Sequence, residues 1–151
     1  MRSMKRNIGV RCLLDVNALV ALALPNHPFH ERAHRWFQRT PKRLWATCPL
    51  TQAGFLRVAT YLLGGSRQHM AWAIASLDKD RFDPHHEFWQ MDVDLTACDA
   101  SIKSRLLGPN QVADVQLLLL AHRHDGQLAT FDTGIRELAA STRYADSLHL
   151  I

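Results

Sequence analysis

Paired cysteines, long apolar runs and low-complexity tracts are all missing from this chain, and each absence excludes a class of protein. The 151 residues contain three cysteines, Cys12, Cys48 and Cys98. They are odd in number and scattered, without the close spacing of a zinc ribbon or the even framework of a disulfide scaffold. Thiols set in apolar runs behave as small hydrophobes, and a reducing cytosol is their natural setting. No stretch approaches the roughly 18 consecutive apolar residues of a membrane span. Arg2, Lys5 and Arg6 ahead of Cys12–Leu24, with Ala21–Leu22–Ala23 behind them, imitate a secretory leader. A leader needs an unbroken apolar middle, and Asp15 and Asn17 interrupt this one. The expectation is a cytoplasmic protein without membrane association, with Met4 a candidate alternative start.

What remains is an ordinary globular composition. Hydrophobic residues make up 47% of the chain, enough to exclude a disordered tail and to build one core. No repeat or interdomain linker interrupts it, so residues 1–151 are expected to form a single domain. The formal net charge is +4 and the pI is near 9.3. That excess fits either a polyanionic ligand or ordinary solubility charge.

Short apolar runs alternate with longer helical ones, the pattern of an α/β fold with a mainly parallel sheet. Arg11–Leu14 reads as a buried strand and Val16–Leu24 as the helix after it. His30–Arg39 resumes helical spacing before Pro41. Leu44–Cys48 reads as a second strand, and Pro49 opens a helix that Gly64–Gly65 stops near Leu63. Arg67–Leu77 carries an apolar stripe of Met70, Ala71, Ile74 and Leu77. Phe88–Met91 reads as a strand, Leu95–Leu106 as a helix, and Val112–His124 as a helix apolar on most sides. Gln127–Phe131, Gly134–Ala140 and Ser147–Ile151 complete the series as strand, helix and strand.

Three aspartates stand where apolar runs meet turns or helices. Asp15 closes the first strand, Asp132 closes Gln127–Phe131, and Asp114 opens the helix around Val115–Ala121. The carboxyl ends of parallel strands face one crevice, so these three can meet. Converging carboxylates repel unless a cation neutralises them, and hard oxygen ligands suit Mg²⁺ or Mn²⁺. Asp15 and Asp132 also fit as helix N-caps. Asp114 is harder to explain so, because a sheltered carboxylate costs several kcal/mol unless paired or metal-bound.

In order and spacing, Leu13–Leu14–Asp15–Val16–Asn17–Ala18–Leu19–Val20–Ala21–Leu22, His30–Phe37, Cys48–Val58, Gln111–Val112–Ala113–Asp114 and Leu128–Ala129–Thr130–Phe131–Asp132 resemble the PIN domain. The likeness is to the VapC-type ribonuclease toxins of VapBC toxin–antitoxin pairs. That resemblance implies a three-layer α/β/α sandwich, an RNA phosphodiesterase dependent on Mg²⁺ or Mn²⁺, products with 5′-phosphate and 3′-hydroxyl ends, a VapB-type antitoxin partner and a homodimer. Carried over by position, the metal-binding and catalytic acids are Asp15, Asp114 and Asp132. The remaining acid of the family falls at Thr51–Gln52–Ala53–Gly54, where Gln52 replaces the expected Glu. Three formal charges instead of four should weaken metal affinity. They do not forbid binding, since Mg²⁺ is often held by one or two carboxylates with water and phosphate.

Asn17, Thr51 and Thr130 are candidates for orienting carboxylates or waters, with local turn and cap bonding as the alternative. Arg57 is a candidate phosphate contact or a plain surface residue. His30 and His34 lie at i, i+4 but lack a third ligand and base, so they read as a helix face, and the zinc reading is set aside for His85 and His86 as well. Trp36, Trp45, Trp72 and Trp89 read mainly as core. Arg32, Arg35, Arg39, Lys42 and Arg43 form a solvated face or an RNA-approach surface. An apolar groove between the first helices would suit an antitoxin segment. Because of Gln52, the alternative is a non-catalytic PIN-like module that binds RNA or protein. A haloacid-dehalogenase-like phosphatase is disfavoured, since Asn17 stands where that chemistry wants a second Asp.

Overall fold

A computed structural model describes residues 10–39 and 43–151. Arg2, Met4, Lys5, Arg6, Pro41 and Lys42 lie outside the described residues. Five strands, β1 (Cys12–Leu14), β2 (Trp45–Thr47), β3 (His86–Phe88), β4 (Gln127–Thr130) and β5 (Leu148–Leu150), form one sheet in the order β3-β2-β1-β4-β5. Every pairing is parallel, with Leu13 opposite Ala46 on one side and Leu128 on the other.

Strand alternation splits the core into two layers. Leu13 and Leu128 point to a cluster with Leu117, Leu118, Leu120 and Ile135, contributed by α6 (Val112–Arg123) and α7 (Gly134–Ala139). Cys12, Leu14 and Ala129 point to the opposite cluster with Leu19, Val20, Trp36 and Phe55. That layer is built by α1 (Val16–Ala23), α2 (His30–Gln38), α3 (Pro49–Leu63) and α4 (Arg67–Asp80). Central strands covered on both faces are mainly apolar, and β1 and β2 are buried at every position, with Thr47 the one polar residue in them. The result is the expected three-layer α/β/α sandwich.

Local chemistry sets the element ends. Pro49 at the first turn of α3 and a left-handed Gly64 (φ 117°) bound it. Gly54 lets α1 and α3 approach closely, because a Cβ there would collide with Cγ2 of Val16. Imidazole N–H groups of His30 and His34 reach the carbonyls of Ala21 and Leu22, at 2.7 and 2.9 Å, and tie α2 to the end of α1. They satisfy orphan carbonyls of a helix terminus, in keeping with their reading as a helix face.

Four expectations need correction. The third strand is His86–Phe88 rather than Phe88–Met91, held in register by Trp45 opposite His86. The helix expected over Leu95–Leu106 is a 3₁₀ turn at Leu95–Ala97 and a four-residue α5 (Ala100–Lys103), with Asp94 and Asp99 as their N-cap residues. Helix α4 runs to Asp80, and its apolar stripe is only partly core: Ala73 is its only buried residue, Leu77 packs half-buried against the core, and Ile74 is 52% exposed. Trp72 on the same helix is 40% exposed, unlike the buried Trp36, Trp45 and Trp89. The three cysteines are free. Among the described residues no helix is long and apolar enough to cross a membrane.

Candidate active site

The chain leaves β1 toward β2 and β3 on one side, then returns to β4 and β5 on the other. The carboxyl ends of β1 and β4 therefore border the crevice where a doubly wound sheet binds its ligand. Asp15 follows β1 and Asp132 lies two residues beyond β4.

Asp15 is the N-cap of α1, only 7% exposed, and its Oδ1 accepts the Val16 N–H at 2.7 Å. Its Oδ2 accepts the Thr130 hydroxyl, also at 2.7 Å. The same hydroxyl oxygen accepts the backbone N–H of Asp132 at 3.0 Å. Thr130 thus fastens the two strand ends across the switch point. Burial raises the Asp15 pKa, the Thr130 and Val16 bonds oppose that rise, and the charge on Asp132 adds to it.

Asp132 is exposed, and its Oδ1 accepts the Gly134 N–H at 2.8 Å at the start of α7. Asp114, in the first turn of α6, is half-buried. Its carboxyl is pushed up to about 6, first by burial and then by repulsion from Asp15 and Asp132. The three carboxylates feel one another's charge, although their side chains do not close on one point. Among the described residues no three His, Cys, Asp or Glu side chains stand close enough to hold an ion by themselves. The donor set still suits Mg²⁺ or Mn²⁺: hard oxygens, and mutual repulsion that a cation would relieve.

The other candidates separate clearly. Thr130 joins the aspartates as described. Thr51 does not: its hydroxyl accepts the Cys48 N–H at 2.9 Å and closes the start of α3. Asn17 lies exposed in the first turn of α1. Gln52 is half-buried near the carboxyl end of β2, and its Nε2 donates to the Thr47 hydroxyl at 3.3 Å. Arg57 is exposed and sits about 140° around α3 from Gln52, so the two do not share a face.

Two features went unread in the sequence. Thr47 ends β2 and links Gln52 to His86, whose Nε2 lies 2.9 Å from its hydroxyl. Burial holds the His86 imidazole below its usual pKa, opposed by Asp83 and Glu87. An alternating polar residue at a strand's end was the available signal. Phe29 and Phe131, distant in sequence, stack beside Asp132 with ring centroids 4.8 Å apart.

Comparison with known proteins agrees with this architecture. A family model described as the PIN domain matches residues 12–141. Ribonuclease VapC44 of Mycobacterium tuberculosis is 42% identical over 126 residues, 83% of this chain and 89% of its own length. Ribonuclease VapC38 of the same organism is 44% identical over 128 residues, 84% of this chain and 89% of its own. Ribonuclease VapC39 is 37% identical over 135 residues, 85% and 94% of the two chains. With one sheet, one crevice and relatives aligned along nearly their whole length, the chain belongs to the PIN-domain family, in its VapC-type branch.

Proposed function

We propose that this protein is a metal-dependent endoribonuclease toxin hydrolysing RNA phosphodiester bonds. The observation that supports this reading is the placing of Asp15 and Asp132 just past the adjacent strands β1 and β4, with the Asp114 carboxyl raised by burial and by the charges of both. The relatives' names as ribonucleases favour it over a non-catalytic module.

Asp15, Asp114 and Asp132 would hold Mg²⁺ or Mn²⁺, which supplies an acidified water and neutralises charge on the phosphate. Thr130 keeps Asp15 oriented by its 2.7 Å bond and leaves further lone pairs on both Asp15 oxygens for ligation. Asp132, which is exposed, would share the cation with the incoming RNA phosphate. Gln52 brings no charge, and its tie to Thr47 keeps it beside the crevice as a polar wall.

A VapB-type antitoxin is the proposed protein partner. A cavity of about 310 Å³ lined by apolar side chains such as Leu19, Leu22, Phe37 and Phe55, and by Asp80, Asp83 and Lys79, supports it as a seat for an amphipathic segment. Homodimerisation is proposed through exposed apolar side chains of α3 and α4, where Tyr61 is 81% and Leu62 54% exposed.

The deciding experiment is cleavage of a mixed cellular RNA pool by purified protein with Mn²⁺, run beside Asp114→Asn and a chelator control. Cleavage that needs the metal and Asp114 supports the nuclease. Equal silence from both proteins, with no metal bound, overturns it.

A further inference from the structure

Helix α2 begins on a residue type ill suited to start a helix. Its N-cap is Phe29, which has no side-chain cap bond, where Ser, Thr, Asp or Asn would accept a free N–H. A local rule broken at the rim of a candidate site asks what the ring does there. Phe29 is 41% exposed and stacks on Phe131 at 4.8 Å with an interplanar angle of 28°. Phe131 directly precedes Asp132. The Arg32 guanidinium lies 5.6 Å from the Phe29 ring centroid and 5.4 Å from that of Phe131. One of its NH2 groups donates to the carbonyl of Ile151, which fixes the side chain in place. The His27 ring stands 5.9 Å from Phe29, and its Nδ1 accepts the Phe29 N–H at 3.1 Å.

We propose that Phe29, backed by Phe131 and flanked by Arg32, is a stacking platform for one unpaired nucleobase of the RNA next to the scissile phosphate. This rests on the nuclease reading of the adjoining aspartates. The occupant follows from three features. Phe131 follows β4 and immediately precedes Asp132, so the stack lies at the same end of that strand as the carboxylate. A fixed cation offsets the negative charge that three carboxylates present to an RNA backbone. A flat π-face accepts any base, as single-stranded RNA requires. Arg32 is a positioning residue, since its bond to Ile151 and its ring contacts hold the platform rigid.

The test uses the full chain carrying Asp114→Asn, so that RNA is bound and not cut. Its affinity for a labelled single-stranded RNA 12-mer is measured with Phe29, Phe29→Leu and Phe29→Trp. Leu keeps apolar contact with Phe131 but has no π-face, and Trp enlarges that face. Phe29→Leu should weaken binding roughly 10-fold, and Phe29→Trp should restore it. One abasic position along the RNA should weaken the Phe29 protein equally and leave the Phe29→Leu protein no further to fall. Unchanged affinity in Phe29→Leu, with its melting temperature intact, overturns the platform. If wild type still cleaves RNA in that case, the nuclease reading stands alone. A Phe29-dependent affinity without any cleavage by wild type keeps the platform and sinks the nuclease. Absence of RNA binding, or a Phe29 effect seen only with a protein partner, overturns the platform as well.

Discussion

Two acidic regions of the molecule carry a carboxyl raised to about 6, Asp114 at the crevice and Asp80 at the end of α4. Burial leads in both, but the neighbours differ. Asp114 is opposed by Asp15 and Asp132, brought to it from two different strand ends. Asp80 is opposed only by Asp83. Asp83 itself is well served: its Oδ2 accepts the Trp45 indole N–H at 3.0 Å and its Oδ1 the His85 N–H at 2.8 Å. A raised pKa is therefore not in itself a metal site. What separates the two regions is convergence of acids from distant segments against one local pair.

The comparison can be broken most forcefully at the crevice. Asp114→Asn should lower RNA cleavage by about 100-fold or more, while Asp80→Asn leaves it unchanged. Equal loss in both would erase the distinction. Next in size, Thr130→Val should weaken metal affinity by roughly 10–100-fold. It should also cost about 1–3 kcal/mol in the metal-free protein, because the buried Asp15 Oδ2 loses its donor. Calorimetric metal titration and thermal melts read both effects. Gly54→Ala should destabilise by about 1–3 kcal/mol, since the new methyl meets the stiff Val16 side chain beside Asp15. Urea unfolding measures it, and a change near zero would mean that α1 shifts without strain. Gln52→Glu should tighten metal binding by up to about 10-fold, and unchanged affinity would place Gln52 outside the metal's reach.

The smallest effect sharpens the comparison through pH. Asp80 and Asp114 have folded pKa values above their unfolded ones near 3.8. The stability linked to each is present in full below about pH 4 and is lost as pH rises through about 6. Asp80→Asn should remove its part of that loss and stabilise the protein at neutral pH by less than about 1 kcal/mol, given its partial exposure. Saturating Mn²⁺ should abolish the part due to Asp114 and leave the part due to Asp80. Melting curves between pH 4 and 7, with and without Mn²⁺, separate the two carboxyls.

The readable and unreadable parts of this chain follow the range of the forces involved. Buried strands Cys12–Leu14 and Trp45–Thr47 announce themselves as apolar runs, and Pro49 and Gly64 mark α3 to the residue. Leu95–Leu106 misleads, because apolar spacing over that stretch coincides with two short pieces started by Asp94 and Asp99. Thr51 illustrates the same limit at the site. From sequence it is equally a cap or a helper of the carboxylates, and only the 2.9 Å bond from Cys48 decides.

By itself, then, the sequence determined the α/β alternation, the two-sided burial of the central strands and the positions of the three aspartates, because apolar periodicity, proline, glycine and capping act within a few residues. Tertiary structure alone decided which side of β1 receives β4, that Thr130 would hold Asp15 across 115 positions, and that Phe29 would stack on Phe131 beside Asp132. Those outcomes depend on strand order and on packing between distant segments, where the free energy lies in surfaces that meet only once the sheet has formed.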